Sequence, residues 1–477
     1  MSSVLGSVGG TGLCVGAVHR GADVASTLLL RDADVLVTMD ACRREIAGGG
    51  VYARDGVIEQ VGPSDSLPRQ ADEVINARGL VVLPGLVNTH HHLYQTLTRA
   101  LPAAQDVELF DWLRLLYDVW GELTDEAAYW SARVGLLELM LSGCTTSTDH
   151  LYLYPKDTTL DATIRAAREL GMRFHPCRGA MSLGRSQGGL PPDHLVEDED
   201  RILADMERVV LQYHDPRPGA MTRIALAPCS PFSVTEGLMR RARELATRHN
   251  VMCHTHLAET ADEVAFCLER FGCRPLEYAA RLGWLGRDVW FAHCVFIDAT
   301  EIARMSVAGC GVAHCPNSNM RLGSGIAPIR EMLASGVKVG LAVDGSASND
   351  SGHLLAEARQ AMLLQRVKGG ATALTARQAL EMATLGGAAV LGRDDIGAIE
   401  VGRAADFVGY HTGGLELAGA CHDPVAGLVF CGPQKVAVSV VNGRPIVRDG
   451  EPIGVDVQGT IAEHNKLAAR MARAAAR

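Results

Sequence analysis

The sequence predicts an α/β fold, in which a (β/α)8 TIM-like barrel carries a small β-sandwich domain built from both chain ends. Between residues 82 and 393, eight short apolar segments alternate with helical stretches, and eight parallel strands are the number that closes such a barrel. Residues 26–81 instead alternate apolar and polar side chains, and strand-like segments return within residues 394–456.

The eight barrel strands are expected in apolar segments that end in polar residues. In chain order they read LPGLVNTH, TTSTDHLY, MRFHPC, RIALAPC, VMCHTHL, VWFAHCV, GVAHCP and VKVGLAVD. Helical periodicity falls between them, as in EAAYWSARVGLLELMLSG and TEGLMRRARELATRH. This alternation predicts a barrel over residues 82–393.

The flanks of the barrel predict the second domain. TLLLRDADVLVTMD and GGVYARDGVIEQVG alternate around turn residues, which indicates a small antiparallel sheet over residues 26–81. ADFVGY and KVAVSVVNGRPIV predict the strands of residues 394–456, which we join to the first flank as one composite domain. Residues 457–477 are rich in Ala and Arg and predict a C-terminal helix.

Residues 1–25 are interpreted as an N-terminal extension. Their glycine motif GGTGLCVG follows no strand and precedes no helical pattern, so a dinucleotide-binding loop is not favoured. Thirteen cysteines, an odd number scattered through apolar stretches without a CxxC pair, favour free thiols and the cytoplasm. A net charge of -10 disfavours nucleic acid as a partner. No apolar run is long enough to span a membrane, and a homo-oligomer is expected.

Histidines mark the end of the first predicted barrel strand, in PGLVNTHHHL. His90 and His92 are two residues apart, so on a strand they project to the same side and can hold one metal ion. His91 points to the other side and is expected either to support the metal ligands from behind or to have a structural role.

Other predicted strand ends carry further polar side chains. These are His254, His256 and Glu259 after strand five, His293 after strand six and Asp344 after strand eight. Because the carboxyl ends of all barrel strands meet at one mouth, these side chains are expected to converge there.

The motifs PGLVNTHHHL, HTHLAET, AHCV and VDG resemble, in this order, the metal-site motifs of the amidohydrolase superfamily in its deaminase branch. The resemblance extends from Ser26 to about Asp456. It implies a divalent metal ion held by His90, His92, His256 and Asp344. Zinc and iron(II) both suit three imidazoles and one carboxylate, and zinc is expected first. The resemblance also implies catalytic roles for Glu259, His293 and Asp344.

The chemistry of these residue types agrees with hydrolysis. A metal ion held by imidazoles and a carboxylate lowers the pKa of a water molecule. Asp344 can accept a proton from that water, His293 can orient it, and Glu259 can protonate a ring nitrogen before ammonia leaves. The fourth strand, RIALAPC, has no lysine that could be carboxylated to bridge two ions, which favours a single-metal site.

The metal-site motifs do not indicate which heterocycle is bound, so the loops around the site are expected to determine the substrate. HHHLYQTLTRALP, CRGAMSLGRSQGGLPPDHL and HDPVAGLVFCGPQKVAVSVVNG resemble loops of 8-oxoguanine deaminases, which implies hydrolysis of 8-oxoguanine to urate and ammonia. Isoxanthopterin deaminases and hydroxy-triazine aminohydrolases share much of this loop sequence and stay as alternatives, with an inactive scaffold as a remote one. Gln95 and Arg185 are the candidates for binding the amide edge of such a heterocycle, and Arg178 competes with Arg185.

Overall fold

The computed structural model describes residues 27–475. The expected N-terminal extension and its glycine motif therefore lie outside the described residues. Within the described part, all twelve cysteines are free thiols. A search of the same part finds no helix with the length and apolarity that a bilayer crossing requires.

The described residues begin with five strands of a mixed sheet, β1 Thr27–Val37, β2 Glu45–Arg54, β3 Val57–Pro63, β4 Glu73–Asn76 and β5 Leu80–Pro84. Strand β1 pairs antiparallel with β2, and β2 with β3, as the alternating pattern predicts. However, β4 and β5 both pair parallel to β1. The purely antiparallel sheet expected here is wrong, because the chain crosses over after β3 instead of making another hairpin.

Eight parallel strands then form the barrel, and each overlaps one of the eight predicted segments. They are β6 Leu86–Asn88, β7 Cys144–Leu151, β8 Arg173–Ala180, β9 Ala225–Pro228, β10 Met252–Leu257, β11 Val289–His293, β12 Gly311–His314 and β13 Lys338–Leu341. They neighbour one another in chain order. The last strand meets the first where the Thr89 amide donates to the Leu341 carbonyl at 3.0 Å. The predicted barrel is confirmed.

Helices connect these strands and cover the outside of the barrel. They are α1 Leu109–Trp120, α2 Asp125–Ser142, α3 Leu160–Leu170, α4 Glu199–Tyr213, α5 Glu236–His249, α6 Ala261–Phe271, α7 Pro275–Arg281, α8 Ala299–Ala308, α9 Pro316–Arg321, α10 Ile329–Ala334, α11 Leu354–Gly369, α12 Ala376–Glu381 and α13 Gly387–Val390. Local signals set their ends: Asp298 and Glu301 form a capping box at the start of α8. Gly143 ends α2 in the left-handed region, where a Cβ would overlap the Tyr410 hydroxyl.

The end of the chain completes the first sheet. Its elements are β14 Phe407–His411, α14 Pro424–Phe430, β15 Val438–Val441, β16 Arg444–Arg448, β17 Glu451–Pro452 and α15 Val457–Ala475. Strand β14 pairs antiparallel with β5, so one nine-stranded mixed sheet contains both flanks of the barrel. Helix α15 packs against α1 and α2. We propose that the domain boundaries follow the divisions stated from the sequence.

A buried ion pair connects the barrel to this sheet. Arg173, at the start of β8, donates from Nε and Nη2 to the carboxylate of Asp406 at 2.8 and 3.0 Å. Its Nη1 donates to the carbonyls of Gly219 and Ala220. Both charged side chains are almost completely buried. Removal of one partner would leave the other as an uncompensated buried charge.

We expect Asp406→Asn to destabilise the protein by about 3 kcal/mol or more, because Arg173 would lose its counter-charge. The measurement is the shift in the midpoint of thermal unfolding, followed by circular dichroism. Glu463→Gln is the control, since its pair with Lys466 is exposed and should contribute under about 1 kcal/mol. Equal shifts for the two variants would contradict a structural role for the buried pair.

Candidate active site

The residues expected at the barrel mouth come together there. His90 and His92 lie two and four residues after the end of β6 at Asn88, His256 lies in β10, and His293 is the last residue of β11. All four of these imidazoles are buried, as are the carboxylates of Glu259 and Asp344. The carboxyl ends of the strands bring the six side chains to one place because the strands are parallel and neighbouring.

Hydrogen bonds to backbone carbonyls fix the protonation of two of these rings. His92 Nδ1 lies 2.7 Å from the carbonyl oxygen of His150, and His256 Nδ1 lies 2.7 Å from that of Cys229. A carbonyl only accepts, so each Nδ1 carries the hydrogen. Burial lowers the pKa of His92 to about 3 and also lowers that of His256, so both rings are neutral. Their bare Nε2 lone pairs therefore face each other at 3.1 Å.

A third ring is fixed through another histidine. His254 Nδ1 donates to the carbonyl of Trp290 at 3.0 Å, which leaves His254 Nε2 as an acceptor. His90 Nδ1, 2.7 Å away, must donate to it. The remaining nitrogen, His90 Nε2, has no hydrogen-bond partner in residues 27–475 and lies 3.4 Å from Asp344 Oδ1.

Three lone pairs and one carboxylate thus converge in a buried space. Such a donor set is unfavourable by itself and favourable around a cation, and three imidazoles with one carboxylate suit a divalent metal ion. Candidate ligand atoms of His90, His92 and His256 lie within 4.8 Å of one another, as do those of His90, His293 and Asp344. The cluster fits a metal site.

Local hydrogen bonds hold Asp344 and His293 in strained backbone conformations. Both residues are in the left-handed region, with φ of 62° and 71°. The carboxylate of Asp344 accepts from the Ser318 hydroxyl and from the Gly345 amide, each at 2.6 Å. His293 Nδ1 lies 3.0 Å from the amide oxygen of Asn319, so it donates and its Nε2 is left facing the site.

Glu259 is the second carboxylate of the site. Burial raises its pKa to about 7, although the nearby His293 acts in the other direction. Its Oε2 lies 3.6 Å from His293 Nε2. Burial would lower the pKa of His293, but the carboxylates of Glu259 and Asp344 raise it overall. A carboxyl group with a pKa near neutrality can both give and take a proton.

A cavity of about 410 Å³ opens onto these groups. Seven apolar or aromatic residues form part of its wall: Leu109, Trp112, Leu113, Tyr117, Tyr152, Phe232 and Leu322. The polar groups that face it are those of His92, His256, Glu259, His293, Asp344, Gln95, Cys229, Ser230 and Ser348.

The two residues expected to bind substrate have different positions. Gln95 is buried and lines the cavity, and its Oε1 accepts from the Ala347 amide at 3.4 Å. Arg185 is exposed in a short 3-10 turn and does not line this cavity. Arg178, the competing candidate, is buried and forms ion pairs with Glu197 and Asp205, so these two carboxylates already compensate its charge.

His150 was not singled out from the sequence, and His254 was expected only as a strand-end residue at the barrel mouth. His150, the penultimate residue of β7, lies with His90, His92 and His256 in the ligand cluster, and its place at a strand end was the available signal. His254 was noted as a strand-end residue, but nothing in the pattern indicated its contact with His90. His91 is buried without side-chain partners in the described part and lies outside the cluster.

Known proteins share this fold and sequence. The chain is 47% identical over 428 residues to 8-oxoguanine deaminase of Pseudomonas aeruginosa, covering 89% of this chain and 95% of that protein. It is 40% identical over 442 residues to hydroxydechloroatrazine ethylaminohydrolase of Pseudomonas sp. strain ADP, covering 88% and 91%. The structure of atrazine chlorohydrolase from Arthrobacter aurescens TC1 complexed with zinc has a TM-score of 0.89 at 36% identity, covering 92% and 100%.

The sequence model of the amidohydrolase family matches residues 81–446, which contain the barrel and all the site residues described above. The resemblance stated from the motifs is confirmed. The chain therefore belongs to the amidohydrolase family, in its deaminase branch, and is a hydrolase that acts on carbon–nitrogen bonds.

Proposed function

We propose that the protein is a mononuclear metal-dependent aminohydrolase that converts 8-oxoguanine and water to urate and ammonia. The observation that carries this proposal is the convergence of three fixed Nε2 lone pairs and Asp344 beside the buried acid Glu259. The similarity to an 8-oxoguanine deaminase supports the choice of substrate. The free cysteines of residues 27–475 support the cytoplasm as the proposed location.

We assign the metal ion to His90, His92, His256 and Asp344, with zinc as the proposed ion and iron(II) as the alternative. When bound, such an ion lowers the pKa of a water molecule toward neutrality. The proposal of a single ion rests on the fourth barrel strand, which has no lysine to bridge a second one.

Three side chains then move protons. Asp344 accepts one proton from the attacking water, while His293, fixed by Asn319, orients that water. As the new C–O bond forms at the carbon that bears the amino group, Glu259 gives its proton to the adjacent ring nitrogen. Asp344 passes its proton to the amino group, and the C–N bond breaks to release ammonia. The new hydroxyl returns a proton to Glu259, which leaves the carbonyl of the product.

Gln95 is the proposed contact to the amide edge of the ring. Its Oε1 faces the Ala347 amide, so its NH2 group is left to donate to a substrate carbonyl. Gly345 makes this position possible, since a Cβ there would overlap the Gln95 amide. The apolar and aromatic walls would cover the two faces of a planar ring.

The first prediction concerns the substrate. Protein purified with zinc should contain about one metal ion per chain and release ammonia from 8-oxoguanine faster than from guanine, isoxanthopterin or hydroxylated aminotriazines. Ammonia release and metal content are the measurements. Faster release from isoxanthopterin would overturn the proposed substrate and keep the mechanism. Absence of bound metal would contradict the mechanism itself.

The second prediction concerns Asp344. Asp344→Asn should lower kcat/KM by about 10³-fold or more, because the amide cannot take a proton from water and binds a cation less well. Steady-state kinetics and metal analysis measure the two effects. Asp449→Asn, an exposed change far from the barrel mouth, is the control. Full activity of Asp344→Asn would exclude the role assigned here.

The third prediction concerns Glu259 and pH. Its pKa is raised to about 7, so the proton it donates is present below this pH and absent above it. Wild-type kcat/KM should fall as pH rises through about 7. Glu259→Gln should lose about 10²–10⁴-fold in kcat/KM and show no such decline.

The exposed Glu269→Gln on α6 should behave as the wild type. A pH profile of Glu259→Gln that declines like the wild type would assign the titration to another group.

A further inference from the structure

One polar group at the cavity has no partner. Trp112, in α1, lines the cavity and is only 3% exposed. Its indole Nε1 is buried and donates to no acceptor in residues 27–475. A buried N–H without an acceptor costs free energy, and such groups are uncommon in folded proteins. The indole N–H is therefore an unused donor on a residue of the cavity wall.

A neighbouring tryptophan provides a contrast within the same helix. Trp120 is also buried, but its Nε1 donates to the Thr98 hydroxyl at 3.2 Å. The two rings pack edge to face, with centroids 5.3 Å apart, and this contact holds the Trp112 ring in place. Trp120, whose N–H has an acceptor, does not line the cavity, whereas Trp112, whose N–H has none, does.

The charge of the wall limits what this donor can bind. No Lys or Arg of the described residues lines the cavity, so a phosphate or carboxylate group would find no counter-charge on this wall. Gln95 and Trp112 instead offer neutral N–H donors, which suit carbonyl oxygens. Gln95 is three residues from His92 and close to the metal cluster, whereas Trp112 belongs to a separate element of the wall.

We propose that Trp112 is a specificity-determining residue whose indole N–H donates to a second carbonyl of the substrate, remote from the carbon that reacts. The inference rests on the proposed function and deepens it: the site selects a heterocycle with two carbonyl groups. In 8-oxoguanine the second carbonyl is the one at C8, which guanine lacks. Without that oxygen the Trp112 donor stays unpaired in the complex, and guanine is disfavoured.

The test compares Trp112→Phe, which keeps an aromatic ring but removes the N–H, with the wild type on 8-oxoguanine and guanine. We expect kcat/KM for 8-oxoguanine to fall about tenfold, as for the loss of one neutral hydrogen bond. We expect kcat/KM for guanine to change less than about twofold. Trp284→Phe is the matched control, because its buried indole N–H donates to the Met239 carbonyl and does not line the cavity, and it should leave the ratio of the two substrates unchanged.

A binding measurement covers the case in which guanine is not turned over. Urate and xanthine differ by the same C8 carbonyl, so calorimetry should show that Trp112→Phe weakens urate binding about tenfold and leaves xanthine binding unchanged. An equal loss of kcat/KM for 8-oxoguanine and guanine, or of affinity for urate and xanthine, would overturn the inference. No loss for either member of a pair would also overturn it. Wild-type protein that releases no ammonia from 8-oxoguanine would instead overturn the proposed function, while the urate and xanthine comparison would still decide the role of Trp112.

Discussion

The structure of the metal site depends on the position of one hydrogen in each of three imidazoles. His92 and His256 each donate from Nδ1 to a backbone carbonyl, and His90 donates to His254, which is itself fixed by the Trp290 carbonyl. These acceptors belong to β7, β10 and β11 and to the residue after β9. The lone pairs converge only if neighbouring strands keep their register, so the closed barrel determines the chemistry of its mouth.

Much of this arrangement could be predicted because strand periodicity and parallel topology decide it. His90, His92, His256, His293 and Asp344 were predicted to converge because they follow or end apolar strand segments. The role of His254 could not be predicted, since alternation places it on the same side as His256 without saying which ring faces the centre. The hydrogen bond that His254 accepts from His90 follows from the side-chain positions in the structure and not from the spacing of the histidines in the sequence.

Loop positions were harder to predict, because no period governs a loop. Arg185 belongs to a loop expected to contact the substrate, but it is exposed in the structure, while the charge of Arg178 is compensated by two carboxylates. Trp112 lies on the apolar face of α1, a pattern that in the sequence indicates only core packing. That its N–H lacks an acceptor can be seen only in the structure. The same limit applies to β4 and β5, whose parallel pairing depends on a crossover that alternation does not encode.

The sheet that contains both chain ends has a consequence for biosynthesis. Strand β5 pairs with β14, so Pro84 must wait for Phe407 to leave the ribosome before the edge of β5 is covered. Ribosomes add residues more slowly than strands collapse, so the edge of β5 that later pairs with β14 stays uncovered while the barrel is translated.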